Sequence, residues 1–293
     1  MVRILFIALM ACAGAAAAQG VVAASDEVTA QRARLDEALA RFVVEPAPPA
    51  RVFFLGFAGY GEERVFAEEI KLAARQVAER YGSATRSLLL INDRRDLTTH
   101  PLATHDNLRY ALRELGRRMD PASDVLFLVL SSHGARNGMI EVSNTGMEPV
   151  GLSPRGLDLL ISEAGIRLRV IVVSACFSGA FVEPLANNDT VVLTAASRTR
   201  PSFGCSDDRH LTYFGEAFFR DALPGAATLR HAFESARDDI RRRERAEGMK
   251  ASQPQSHFGP VMESRLAEIE AVWREQRRGA GADGATAAGD QGR

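Results

Sequence analysis

The chain has 293 residues, 46% of them hydrophobic and 25% charged, with a formal net charge of −1. That is the composition of an ordinary globular protein, and a near-zero charge gives no electrostatic footing for nucleic acid as a partner. The three cysteines, Cys12, Cys176 and Cys205, have no CxxC spacing and the six histidines contain no HxxxH pair, so a metal site is not expected; the chemistry read below requires no organic cofactor either.

Residues 1–18 read as a secretory signal: Arg3 precedes an apolar stretch that ends in Ala16-Ala17-Ala18 before Gln19. A second cleavage is open, because "LMAC" resembles a lipobox in which Cys12 would carry a lipid anchor. The first is preferred, since Met10 is a poor lipobox residue. Either way the mature chain is expected outside the cytoplasm, periplasmic or secreted. No other apolar run approaches the ~20 residues of a spanning helix. Cleavage after Ala18 leaves Cys176 and Cys205, and an oxidising compartment permits a disulfide between them.

Residues 19–49 hold a helix, with Val28, Leu35, Leu39 and Phe42 at helical spacing, and the linker "VEPAPPA". A domain over residues 50–260 then begins with the strand "RVFFLGFAG". An amphipathic helix, "RVFAEEIKLAARQVAERYG", is closed by Gly82. "SLLLIND" is a second strand, and Thr104 caps the helix "HDNLRYALRELGRRM". "DVLFLVLSSHG" is a third strand, apolar without alternation and therefore buried on both faces. "MIEVSNTGMEPV" carries the hairpin signals Asn144 and Gly146, and Ser153-Pro154 opens another helix. "RVIVVSAC" and "TVVLTAAS" are the fourth and fifth strands. The helices "YFGEAFFRDAL" and "TLRHAFESARDDIRRRERAEG" follow, the latter with a solvated charged face. A C-terminal helix covers 261–278, and the low-complexity residues 279–293 read as a disordered tail. Apolar strands separated by helices predict an α/β fold: a three-layer α/β/α sandwich with a mostly parallel sheet.

In such a sheet, ligands sit outside the carboxyl ends of the strands. Strand three ends in "SSHG" and strand four in "SACFSG". If these strands are neighbours, about 5 Å apart, His133 and Cys176 leave the sheet into one cleft. A thiolate is a nucleophile, and an adjacent imidazole can deprotonate it or pair with it. Gly134 opens space for a backbone N–H that, with the amide of Cys176, would form an oxyanion hole. Taken singly, Cys176 reads as a buried thiol and His133 as a polar strand tip; it is the pair, each at the end of its own apolar strand, that points to chemistry. Cys205, in the loop "PSFGCSDDRHLTYF", reads as a thiol without a role.

Together, "SSHG", "SACFSG" and "TVVLTAAS" in that order resemble the clan CD cysteine peptidases of caspase-like fold. The likeness is greatest to the legumain-type family, peptidase C13, with its GPI-transamidase relatives. "GYGEERVFAEE" and "SQPQSHFG" extend the resemblance across roughly residues 50–260. The resemblance implies an exported cysteine endopeptidase acting on a peptide or protein through His133 and Cys176. Its oxyanion glycine would be Gly134 and its pocket arginine Arg64. Glu62 stands where the family has an asparagine beside the histidine and would orient the imidazole. The acidic residues that legumain-type enzymes carry before the histidine and two before the cysteine are replaced by Ser132 and Ser174, which would line the pocket with Ser197. Uncharged serines leave Arg64 less balanced, so an acidic P1 residue is favoured unless the arginine points to solvent. A transpeptidase on the same pair of residues and a non-catalytic peptide-binding module are the alternatives.

Overall fold

A computed structural model describes residues 27–289, except 44, 46–49 and 207, with the side chains of 277 and 279–289 also left out. The expected signal segment and Cys12 lie outside the described residues. A helix over 27–40, α1, precedes the domain. The strands are β1 (Val52–Ala58), β2 (Ser87–Ile91), β3 (Val125–Ser131), β4 (Ile140–Val142), β5 (Val150–Leu152), β6 (Leu168–Ser174), β7 (Thr190–Thr194) and β8 (Gln255–Phe258). The helices are α2 (Arg64–Tyr81), α3 (His105–Arg118), α4 (Pro154–Glu163), α5 (Val182–Leu185), α6 (Tyr213–Gly215), α7 (Leu229–Ala246) and α8 (Pro260–Gly289). α6 runs on into a π-helical segment over Glu216–Ala222.

Six strands form one sheet in the order β2-β1-β3-β6-β7-β8, parallel except for the antiparallel edge strand β8. β4 and β5 form the separate hairpin expected from Asn144 and Gly146. The uninterrupted apolar strands are explained by burial on both faces. Along β1, Val52 and Phe54 join one core with α2, α7 and α8; Phe53, Leu55 and Phe57 join the other with α1, α3 and α4. The fold is the α/β sandwich that the strand pattern predicts.

The expected caps are in place: Thr104 accepts from Asn107 N–H, Ser153 accepts from Gly156 N–H, and Gly82 closes α2 at φ 67°. "SQPQSHFG" is where the apolar pattern is silent, yet it pairs as β8 along β7, with mixed residues because an edge strand is only partly covered. One boundary is corrected. The sequence ends the last helix at 278 and leaves 279–293 irregular; α8 instead runs to Gly289, through a stretch rich in alanine, the strongest helix former.

α8 is tied to the domain by a buried ion pair. Arg80 Nη2 donates to Glu270 Oε1 at 3.0 Å with both side chains 2% exposed, and the same oxygen accepts from Tyr81 Oη and Leu229 N–H. Removing one partner of such a pair leaves an uncompensated buried charge. Glu270→Ala is therefore expected to lower stability by about 3–5 kcal/mol, read as a fall in the urea midpoint at unchanged m-value.

Candidate active site

The register of β3 and β6 sets the site. Ser131 lies opposite Ser174, so His133 and Cys176 each emerge two residues beyond a paired strand end. The chain turns sharply at once. Phe177 adopts a left-handed conformation, φ 57° and ψ 15°, which a bulky residue takes only under constraint. The constraint is its N–H bond to Arg200 O at 2.8 Å. Arg136 lies over its ring, 5.3 Å from the centroid.

Gly134 is required by close approach. A Cβ there would sit 1.8 Å from the carbonyl oxygen of Cys176. Gly134 bridges Ile140, but the bonds are made by its neighbours, Glu141 N–H to His133 O and Ala135 N–H to Met139 O. Its own N–H stays outside that bridge.

The imidazole of His133 is held between rings: Tyr60 at 4.6 Å and Phe66 at 5.0 Å, both edge-on. Its Nε2 lies 3.0 Å from Glu63 Oε2, an electrostatic contact out of hydrogen-bond alignment. Such contacts tighten in many enzymes only when substrate arrives. Glu63 is the N-cap residue of α2, where its side chain makes no cap bond; its carboxylate stands against the histidine. This corrects the expectation for Glu62. The two adjacent side chains diverge, and Glu62 pairs with Arg94 at 3.4 Å and accepts from Thr145 Oγ1 at 3.0 Å.

Around Cys176 the returning loop after β7 closes on the sulfur. Ser202 N–H donates to Sγ at 3.3 Å and Ser202 Oγ lies 3.7 Å away. Cys176 and Cys205 are both free thiols. The Cys176 thiol is pulled down to about 6, first by hydrogen bonding from the Cys205 thiol, against the opposing effect of burial; the Ser202 hydroxyl and N–H and the charge of His133 add to it. The Cys205 thiol is pushed up by the same contact. The proton therefore leaves Cys176 first, and the sulfur is a thiolate at neutral pH. Neither Ser202 nor Cys205 was given a part by the sequence, and no pattern in "PSFGCSDD" marks the loop as returning to the sulfur.

The remaining pocket candidates are not gathered as expected. Ser132 is buried and donates to Glu141 O at 2.6 Å; Ser174 is buried with its hydroxyl 3.3 Å from Thr212 Oγ1. Both hydroxyls are engaged inside the protein rather than offered to a ligand. Ser197 is buried behind the turn at Gly179, its Oγ without a hydrogen-bond partner among the described residues. Arg64 is exposed at the first turn of α2. Among the described residues no group of three His, Cys, Asp or Glu could hold a metal ion.

The sequence model of the peptidase C13 family matches residues 117–264, just over half of the chain and both strand ends of the site. The chain belongs to the peptidase C13 family. At the level of that family it is a cysteine-type peptidase, and its substrates are peptides or proteins. No curated protein matches the chain. Glu63 and the rest of α2 lie N-terminal to the stretch that the C13 family matches.

The thiol environment sets a pH dependence. Lowering of the Cys176 pKa means the reactive form is lost as pH falls through about 6. Iodoacetamide labelling of Cys176, followed by mass spectrometry, should rise through that pH and level off by neutrality. Cys205→Ala should move the midpoint upward, and Ser202→Ala less so, because it keeps the backbone N–H. A wild-type midpoint near the ordinary thiol value of about 8.5 would contradict this environment.

Proposed function

We propose that the protein is an exported cysteine endopeptidase in which His133 and Cys176 form a catalytic dyad. The observation that carries the reading is the shared register of β3 and β6, which delivers an imidazole and a low-pKa thiol from neighbouring strand ends. Cys176 attacks the scissile carbonyl through its sulfur lone pair. The N–H groups of Gly134 and Cys176 receive the developing oxyanion. Collapse of the tetrahedral intermediate leaves a thioester on Cys176, and His133 gives its proton to the leaving amine. Water, deprotonated by His133, then adds to the thioester and releases the acid and the free thiol.

Glu63 serves this cycle by standing against Nε2 of His133. It orients the imidazole and directs Nδ1 toward the reacting atoms. The desolvated rings of Tyr60 and Phe66 restrict rotation of the imidazole. Ser197 is the serine of the expected pocket with a hydroxyl still to be satisfied. Export is supported by the character of residues 1–18.

A peptide carrying a thiol-directed electrophile tests the dyad. Wild-type protein should be labelled at Cys176 and should cleave a peptide library, with His133→Ala lowering kcat by about 10²–10⁴-fold and Glu63→Gln by less. Absence of labelling at Cys176 under reducing conditions would leave a module that holds peptides without cutting them. Product joined to an added amine, in place of free acid, would make the enzyme a transpeptidase.

A further inference from the structure

Glu69 lies on α2 with no exposure to solvent, in a stripe otherwise made of Val65, Phe66, Ile70 and Ala73. An apolar residue would fill that position at lower cost, since burying a carboxyl forfeits its hydration. The side chain reaches the point where three elements end. Its Oε2 accepts from Thr212 Oγ1 at 2.5 Å, and Thr212 Oγ1 lies 3.3 Å from Ser174 Oγ. Thr212 is also the N-cap of α6, where it accepts from Gly215 N–H at 2.9 Å. Gly215 is packed so tightly on the carboxyl that a Cβ there would stand 2.5 Å from Oε2. Glu69 Oε1 and Ser131 Oγ are both buried without a hydrogen-bond partner among the described residues, and Ser131 faces the carboxyl from the end of β3.

We propose that Glu69 is a positioning residue of the catalytic pair, tying the end of β6 to the start of α6 through Thr212, beside the end of β3. Ser131 and Ser174 are register partners, each two residues ahead of His133 and Cys176. The third element anchors the loop over the sulfur: Tyr213 N–H donates to Phe203 O at 3.0 Å, beside Ser202. One buried side chain thus sets the offset of imidazole and thiol and the seat of the loop that donates to the thiol. Burial raises the pKa of Glu69, against the hydrogen bonds that favour its charged form; its part in the site rests on the contact with Thr212. The proposal rests on the cysteine peptidase reading, and it goes beyond it by giving a buried helix residue a part in the geometry of the dyad.

Glu69→Gln preserves an acceptor for Thr212 in the same shape; Glu69→Leu preserves only the shape. The fold should survive both, because Thr212 and Ser174 can satisfy each other. Three quantities are read: the thermal midpoint, the pH profile of iodoacetamide labelling at Cys176, and kcat per site titrated with the peptide electrophile. Glu69→Leu should lower kcat per titrated site roughly 10²-fold, the order that a misplacement of about 1 Å costs, and raise the labelling midpoint, with KM and the fold retained. Glu69→Gln should restore kcat and labelling to near wild type. Wild-type kcat per titrated site and an unmoved labelling midpoint in Glu69→Leu would overturn the proposal, as would Glu69→Gln behaving like Glu69→Leu. If Glu69→Leu does not fold, Ser174→Ala, which removes one tie and leaves the carboxyl, carries the same comparison. Labelling needs no knowledge of the substrate, so these results stand apart from the peptidase reading, which fails only if wild-type Cys176 resists the electrophile.

Discussion

The pairing of β3 with β6 is the constraint on which the site depends. Two parallel strands in register, with Ser131 opposite Ser174, hand His133 and Cys176 to the same edge of the sheet at the same height. Parallel strands buried on both faces must be apolar throughout, and both strands are. Their rigidity fixes the offset at which two side chains leave the sheet on different connections. The hydrophobic effect that forms the sheet and the chemistry at its edge are therefore one arrangement seen at two scales.

Backbone strain shapes the turn that carries Cys176 out of the sheet. The left-handed turn at Phe177 lifts Cys176 off the end of β6, and the Arg200 carbonyl holds the turn. The residue on the other side of the cleft has to be glycine because the two backbones nearly touch. The cost of such a conformation, on the order of 1–3 kcal/mol, is borne by the surrounding sheet. In exchange the sulfur meets backbone and thiol donors rather than apolar side chains, and its proton is weakly held.

Much of this could be read from the sequence because it follows from local pattern. Cys176 and His133 stand where apolar runs stop, and Thr104, Ser153 and Gly82 have the residue types that their caps demand. What could not be read depends on direction rather than type. Glu62 and Glu63 are chemically the same, and only the extended backbone at the head of α2 decides which of them turns to the histidine. Ser202 approaches the sulfur through a long return loop whose path is set by the Phe177–Arg200 bond. Ser132 and Ser174 were placed in a pocket by their positions beside His133 and Cys176, but a strand end beneath a helix is interior, and their hydroxyls are spent there. Glu69 did leave a trace: it is four residues from Val65 and four from Ala73, on the apolar stripe of α2, where a carboxylate has no reason to be for stability alone.

The account stands or falls on covalent chemistry at one sulfur. Its most direct test is the intact mass of the protein after a cleavable peptide ester is added and the reaction is quenched in acid within the first turnover. The account predicts an increase equal to the acyl half of the substrate, located on Cys176 and removed by hydroxylamine. Turnover of the ester with no adduct on Cys176, or with an adduct on another residue, would contradict it.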